Sequence, residues 1–74
     1  MSRNDCILDL IAVEVGKHKH GLFLTSMATA WSVAAPKNKS LIREAWSNII
    51  DSHQLRDIYS KEIEKHLPEY LSED

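Results

Sequence analysis

Residues 38–50 read NKSLIREAWSNII and contain the clearest periodic pattern in the chain. Apolar side chains recur there at the spacing i, i+1, i+4, i+5, i+8 and i+9, which places them on one wide stripe of an α-helix. The stripe consists of Leu41, Ile42, Ala45, Trp46, Ile49 and Ile50. Asn38 and Ser40 are candidate N-caps, because their side-chain oxygens can accept a hydrogen bond from the first turn of the helix.

The same stripe does not continue in phase toward the C-terminus. Apolar residues would be needed near positions where His53 and Arg56 stand. A new stripe contains Leu55, Ile58, Tyr59, Ile63 and Leu67 instead. Because Asp51 and Gln54 have the spacing of a capping box, we expect a new helix from about residue 52 or 53, after a kink or a tight turn. This helix should end before Pro68, which cannot continue it.

Glycine and proline divide the part of the chain before the third helix. Gly16 and Gly21 bracket a Lys-His-Lys-His turn. We expect the next helix to begin at Thr25 or Ser26, both good N-cap residues, and its alanines favour helix. Pro36 ends that helix.

Residues 6–15 form the most apolar stretch and fit two structures. As a helix, capped by Ser2 or Asn4, the stretch buries a broad face. As a strand, it has apolar residues on one side that Asp9 interrupts, and residues 21–24 can return as its hairpin partner. The acidic first turn and the leucine content favour the helix.

The sequence therefore predicts an all-α fold, a compact bundle of four short helices, with an N-terminal β-hairpin followed by helices as the alternative. Residues 1–74 are predicted to form a single domain, of which residues 68–74 are an acidic tail. Short connections make successive helices neighbours. The predicted core consists of Ile7, Leu10, Ile11, Leu22, Phe23, Leu24, Trp31, Leu41, Ile42, Trp46, Ile49, Ile50, Ile58 and Ile63.

Composition excludes several classes of protein. A chain of 74 residues buries only roughly 60% of its unfolded surface, so the core is thin. Its 27% of charged residues interrupt every apolar run before the 18 residues that a membrane-spanning helix needs, and no secretory signal is expected. The single cysteine, Cys6, cannot form an intramolecular disulfide and is expected to be an inert apolar side chain. A reducing compartment, the cytoplasm, is predicted.

Charge is unevenly distributed along the chain. Residues 15–43 contain five basic residues and no acidic one, whereas the flanking segments are acidic. The five are Lys17, Lys19, Lys37, Lys39 and Arg43. This asymmetry favours an anionic partner for the middle segment. The alternative explanation is that the basic middle and the acidic end pair with each other, inside the fold or across a dimer.

No catalytic, metal-binding or cofactor-binding site is predicted. His18 and His20 offer two imidazoles, but zinc usually needs four ligands, and no cysteine lies close in sequence. His53 and His66 have neighbouring carboxylates, as exposed helices commonly do. We expect neither an enzyme nor a small-molecule substrate, because the chain lacks a catalytic motif and is too small to enclose a typical pocket.

The predicted function is that of a non-enzymatic regulatory or accessory protein. Such a protein binds a partner protein or itself through apolar helix faces and a polarised surface. Trp31 and Trp46 are expected in the core, with a role as interface aromatics as the alternative. The alternative function is a nucleic-acid-binding regulator, because Lys37, Lys39 and Arg43 surround the start of the second helix of a helix-turn-helix-like pair.

Overall fold

Five α-helices account for nearly all of the chain that the structure describes. The structure is a computed structural model and describes residues 3–66. The helices are α1 (Arg3–Lys17), α2 (Leu22–Val33), α3 (Pro36–Ser52), α4 (Leu55–Ile58) and α5 (Ser60–His66). No strand occurs within residues 3–66, so the predicted all-α fold is confirmed and the alternative with an N-terminal β-hairpin is wrong.

The apolar stretch at residues 6–15 lies inside α1 because helical spacing buries it on one side. The side chains that have no exposed surface are Ile7, Leu8, Ile11 and Val15. Val13 would share a strand face with Ile11 and Val15, yet it is 51% exposed. The burial therefore follows the helical period and not the alternating period of a strand.

The predicted fourth helix is corrected to two short helices, α4 and α5, separated by Tyr59. The dihedral angles of Tyr59, φ −104° and ψ 23°, lie outside the helical region. Its amide still donates to the Leu55 carbonyl at 2.9 Å, and its carbonyl accepts from the Ile63 amide at 2.9 Å. The break accompanies burial of the Tyr59 ring, whose hydroxyl is hydrogen-bonded to His20.

Two helices begin earlier than predicted. Gly21 is the N-cap of α2 and has φ 93°, a value that favours glycine, so Thr25 and Ser26 lie inside the helix and are not its caps. Ala35 is the N-cap of α3, and Pro36 occupies the first turn. Proline is well suited to that position because the missing N–H would have no helical partner there.

Three predicted capping interactions are absent. Asn38 and Ser40 lie inside α3, where the Ser40 hydroxyl donates to a backbone carbonyl one turn earlier. Gln54 has left-handed dihedral angles and forms no side-chain cap with Asp51. Asp51 instead accepts a hydrogen bond from Arg56 Nε at 2.9 Å. The capping box is therefore wrong, because the chain turns sharply between α3 and α4.

The core forms where α1 packs mainly against α2, with α3, α4 and α5 completing it. Its buried apolar residues are Ile7, Leu8, Ile11, Ala12, Val15, Leu24, Ala28, Trp31, Trp46, Ile50, Leu55, Tyr59 and Ile63. Leu10, Met27, Ile42 and Ile49 pack against its edge. The predictions for Ser2, Leu67 and the acidic tail at 68–74 lie outside the described residues.

Four residues of the predicted core lie at the surface instead. They are Leu22 (82% exposed), Phe23 (59%), Leu41 (75%) and Ile58 (56%). In α2 the buried residues are Leu24, Ala28 and Trp31, so the inward side of the helix leaves Leu22 and Phe23 outside. Conversely six buried apolar residues are missing from the predicted core: Leu8, Ala12, Val15, Ala28, Leu55 and Tyr59.

Candidate protein-interaction surface

Two of the five predicted binding cations, Arg43 and Lys39, are held by acidic residues of α1. Arg43 Nε donates to Asp5 Oδ1 at 2.8 Å, and its Nη2 donates to Asp5 Oδ2 at 3.1 Å. This is the two-bond geometry in which arginine binds carboxylates most strongly. Lys39 Nζ donates to Asp9 Oδ1 at 3.2 Å. The partners of these cations lie at the acidic start of the chain and not at its acidic end.

Trp31 organises the same cluster from α2. Its Nε1 donates to Asp9 Oδ1 at 2.6 Å, so one carboxylate oxygen serves both the indole and Lys39. Lys39 Nζ lies 4.8 Å from the centre of the Trp31 ring, and Arg43 Cζ lies 5.8 Å from it. Both distances fall within the range of cation–π attraction. The cations therefore pack on the core and are not free to bind an anion.

Both tryptophans belong to the core. Trp31 and Trp46 have no exposed surface. Trp46 Nε1 donates to the Leu8 carbonyl at 3.3 Å, which satisfies its one polar group. Neither ring is exposed to a partner. Their burial therefore supports the core position predicted for both residues rather than the alternative role as interface aromatics.

Of the remaining three predicted binding cations, one is paired with a carboxylate and two are not. Lys17 Nζ lies 3.5 Å from Glu14 Oε2, at the end of α1. Lys19 and Lys37 are exposed, and none of the described side chains pairs with either. Three members of the predicted cation set are therefore paired with carboxylates inside the fold, and two are not paired with any described side chain.

The outward side of α2 is an exposed surface whose Leu22 and Phe23 were predicted to lie in the core. We call it the α2 face; its exposed members are Leu22, Phe23, Ser26, Thr29, Ala30 and Val33. Leu22 is 82% and Val33 76% exposed, at opposite ends of the helix. The helix, LFLTSMATAWSV, contains no charged residue at all. The absence of charge was a sequence signal for this surface, because a helix that faces water normally carries charged or polar residues on its outer side.

Lysines bracket the α2 face. Lys19 lies two residues before the N-cap Gly21, and Lys37 lies four residues after Val33. No acidic residue occurs from Val15 to Arg43, so nothing in this segment neutralises them. The uncharged helix is thus flanked in the chain by one exposed lysine before it and one after it.

A separate polar cluster joins the α1–α2 connection to Tyr59. The Tyr59 hydroxyl is hydrogen-bonded to His20 Nε2, and the His18 ring stacks on the Tyr59 ring with centroids 5.9 Å apart. Glu14, which is buried, lies 3.6 Å from His18 Nε2 through its Oε1. Burial raises the pKa of Tyr59, and the negative charges of Glu14 and Glu62 raise it further. This cluster fastens the start of α2 to the α4–α5 junction.

Neither a metal-ligating cluster nor a pocket occurs within residues 3–66. No group of three metal-ligating side chains converges there, although His18 and His20 both approach Tyr59. No pocket opens among these residues. None of the described helices is long and apolar enough to cross a membrane.

Comparison with known proteins adds no assignment. No protein-family model, no curated protein and no solved structure matches the chain. Function therefore has to be inferred from the surface itself.

Proposed function

We propose that this chain is a small non-enzymatic accessory or regulatory protein that binds a partner protein through the α2 face. The exposure of Leu22, Phe23 and Val33 on one uncharged helix carries the proposal. We assign the protein to the cytoplasm, where a lone cysteine such as Cys6 stays reduced.

The gain from covering this face is moderate. Complete burial of one leucine, valine or phenylalanine side chain contributes roughly 1.5–3 kcal/mol. Association costs about 4–15 kcal/mol in lost translational and rotational freedom. Three such side chains contribute roughly 4.5–9 kcal/mol at most, which at best little more than balances that loss, so a stable complex needs further polar contacts around the face.

The occupant we propose is a different protein and not a second copy of this chain. In a parallel α2–α2 pairing Lys19 meets Lys19, and in an antiparallel pairing Lys19 meets Lys37. Either arrangement brings like charges together at both ends of the interface, which opposes association.

Nucleic acid fits the surface less well than a protein does. Phosphate binding draws on several convergent cations. Here Lys39 and Arg43 are partnered by Asp9 and Asp5, and the centre of the exposed face is uncharged.

Site-directed cross-linking tests the proposal. A photoreactive residue at Ser26 or Ala30 should capture one protein that the same residue at Asn48, on the outer side of α3, does not. The captured protein is then purified and titrated against the wild-type chain and two neutral double variants. Leu22→Gln with Val33→Gln should weaken binding about tenfold or more. Leu41→Gln with Ile58→Gln, matched in exposed apolar character, should change it less than about twofold. Equal effects of the two double variants would remove the α2 face as the binding site.

A further inference from the structure

We infer that the partner presents an acidic amphipathic segment, with carboxylates at both ends of its apolar side, to the α2 face and to Lys19 and Lys37. This inference rests on the proposed function and specifies the chemistry of the partner. Its basis is the position and the unpaired state of these two lysines.

The first step is the contrast among the five cations. Lys17, Lys39 and Arg43 each have a carboxylate within 3.5 Å. Lys19 and Lys37 have none among the described side chains, and both are exposed. Within the 15–43 segment the fold therefore pairs every lysine and arginine with a carboxylate except the two that flank α2 in the chain.

The second step is the cost of Lys37 to its own helix. It lies in the first turn of α3, a turn that contains no acidic residue. A cation at a helix N-terminus opposes the helix dipole, and a carboxylate there is favourable. A carboxylate from a partner would offset the unfavourable placement of Lys37, and nothing among the described residues does so.

The third step is spacing. α2 has 12 residues, so it is about 18 Å long. A partner helix lying along the α2 face would meet both lysines with acidic groups about three turns apart, separated by apolar residues. The exposed Leu22, Phe23 and Val33 match the apolar side of such a helix, and Lys19 and Lys37 match its acids.

Synthetic peptides test this inference on the full-length protein. The probe is a fluorescent amphipathic peptide of about 16 residues with a leucine side and glutamates near both ends. Two matched peptides carry glutamine or lysine at the glutamate positions. We expect the glutamate peptide to bind about fivefold more tightly than the glutamine peptide at low salt, by anisotropy. Added salt should reduce that preference.

Charge reversal supplies the second arm. Lys19→Glu with Lys37→Glu should invert the order, so that the lysine peptide binds more tightly than the glutamate peptide. Lys61→Glu with Lys65→Glu, which reverses two exposed lysines of α5, should leave the order unchanged. Inversion by both pairs would show that net charge alone decides binding and would overturn the inference.

Failure of the inference differs from failure of the proposed function. If the glutamate and glutamine peptides bind equally well, and Leu22→Gln with Val33→Gln abolishes the binding of both, then the inference of an acidic partner is wrong. The α2 face then still stands as the binding site. Peptide binding that this apolar variant does not weaken overturns both. A dimer in sedimentation analysis that the apolar variant dissociates makes a second copy the occupant and also overturns the inference.

Discussion

Asp9 is the residue at which α1, α2 and α3 meet. Its Oδ1 accepts hydrogen bonds from Trp31 Nε1 and from Lys39 Nζ. Because Trp31 has no exposed surface, its indole N–H depends on this carboxylate for a hydrogen bond within the fold. One carboxylate oxygen of α1 is thus hydrogen-bonded to a side chain of α2 and to a side chain of α3.

Replacing Asp9 tests this role. Asp9→Ala leaves the Trp31 N–H without an acceptor, and we expect the free energy of unfolding to fall by about 1–3 kcal/mol. Asp9→Asn keeps an oxygen acceptor and should cost less. Urea unfolding followed by tryptophan fluorescence measures both variants. A loss for Asp9→Ala below about 0.5 kcal/mol, the size of an ordinary surface change, would contradict the assigned role.

Tyr59 links stability to alkaline pH. Burial, followed by the charges of Glu14 and Glu62, raises its pKa above the ordinary value near 10. A group whose pKa is higher in the folded state than in the unfolded state favours folding only while protonated. This contribution is therefore complete below pH 10 and is lost as the pH rises through the folded-state pKa.

Alkaline unfolding measurements test the Tyr59 assignment. We expect the free energy of unfolding of the wild type to decline more steeply above about pH 10 than that of Tyr59→Phe, which has no phenol to ionise. Between about pH 8 and pH 10, above the range in which histidines ordinarily titrate, the two proteins should differ by a constant amount that reflects the hydrogen bond with His20. Parallel curves through pH 11 would show that the Tyr59 pKa is not raised by folding.

At the scale of elements, the α3–α4 junction depends on one left-handed residue. Gln54 has φ 57° and ψ 35°, a conformation that costs a non-glycine residue energy. It follows His53, whose φ is −100°. The turn redirects the chain so that Leu55 enters the core.

Glycine substitutions at these two neighbours should act in opposite directions. Gln54→Gly relieves the left-handed strain and should raise the free energy of unfolding by about 0.5–1 kcal/mol. His53→Gly relieves no backbone strain and increases the entropy of the unfolded chain, so this substitution should lower the free energy of unfolding. Thermal unfolding followed by circular dichroism at 222 nm compares them. Destabilisation by both substitutions would mean that Gln54 is not strained.

For the whole molecule, charge pairing decides how much positive surface is left. Asp5 and Asp9 on α1 hold Arg43 and Lys39 on α3. Within residues 15–43 the cations left without a partner among the described side chains are Lys19 and Lys37, which flank the uncharged α2 in the chain. Such a surface suits a partner of mixed apolar and acidic character better than a polyanion.

Duplex DNA provides the corresponding test of the alternative function. We expect no binding of a random-sequence duplex at about 0.15 M salt, because too few free cations are available to neutralise phosphates. Fluorescence anisotropy over a salt series measures this, with Lys37→Glu, Lys39→Glu and Arg43→Glu combined as the control. Binding whose log affinity falls by about three or more per log unit of salt, and which the triple variant abolishes, would favour the nucleic-acid function.

Local sequence patterns predicted that helices form, but they did not predict reliably which side chains of each helix are buried. The stripe containing Trp46 and Ile50 placed α3 correctly, and Pro36 marked the boundary between α2 and α3. Leu41 belongs to the same sequence pattern yet is exposed. A wide apolar stripe covers more of the helix circumference than one small core can bury. The spacing of apolar residues therefore does not predict which members of the stripe are buried. The α2 face was missed for the same reason, since its leucine and phenylalanine were assigned to the core.

The sequence by itself favoured a helical chain, marked the boundary between α2 and α3 at Pro36 and made residues 15–43 basic, because each of these follows from neighbouring residues. Only the tertiary structure decided which cations are free. Asp5 and Arg43 are 38 residues apart, and Asp9 and Lys39 are 30 apart. Their meeting depends on how α1 and α3 are brought together across the core, which no local pattern encodes. The same packing turned Leu22 and Val33 outward and left Lys19 and Lys37 beside them without a described partner.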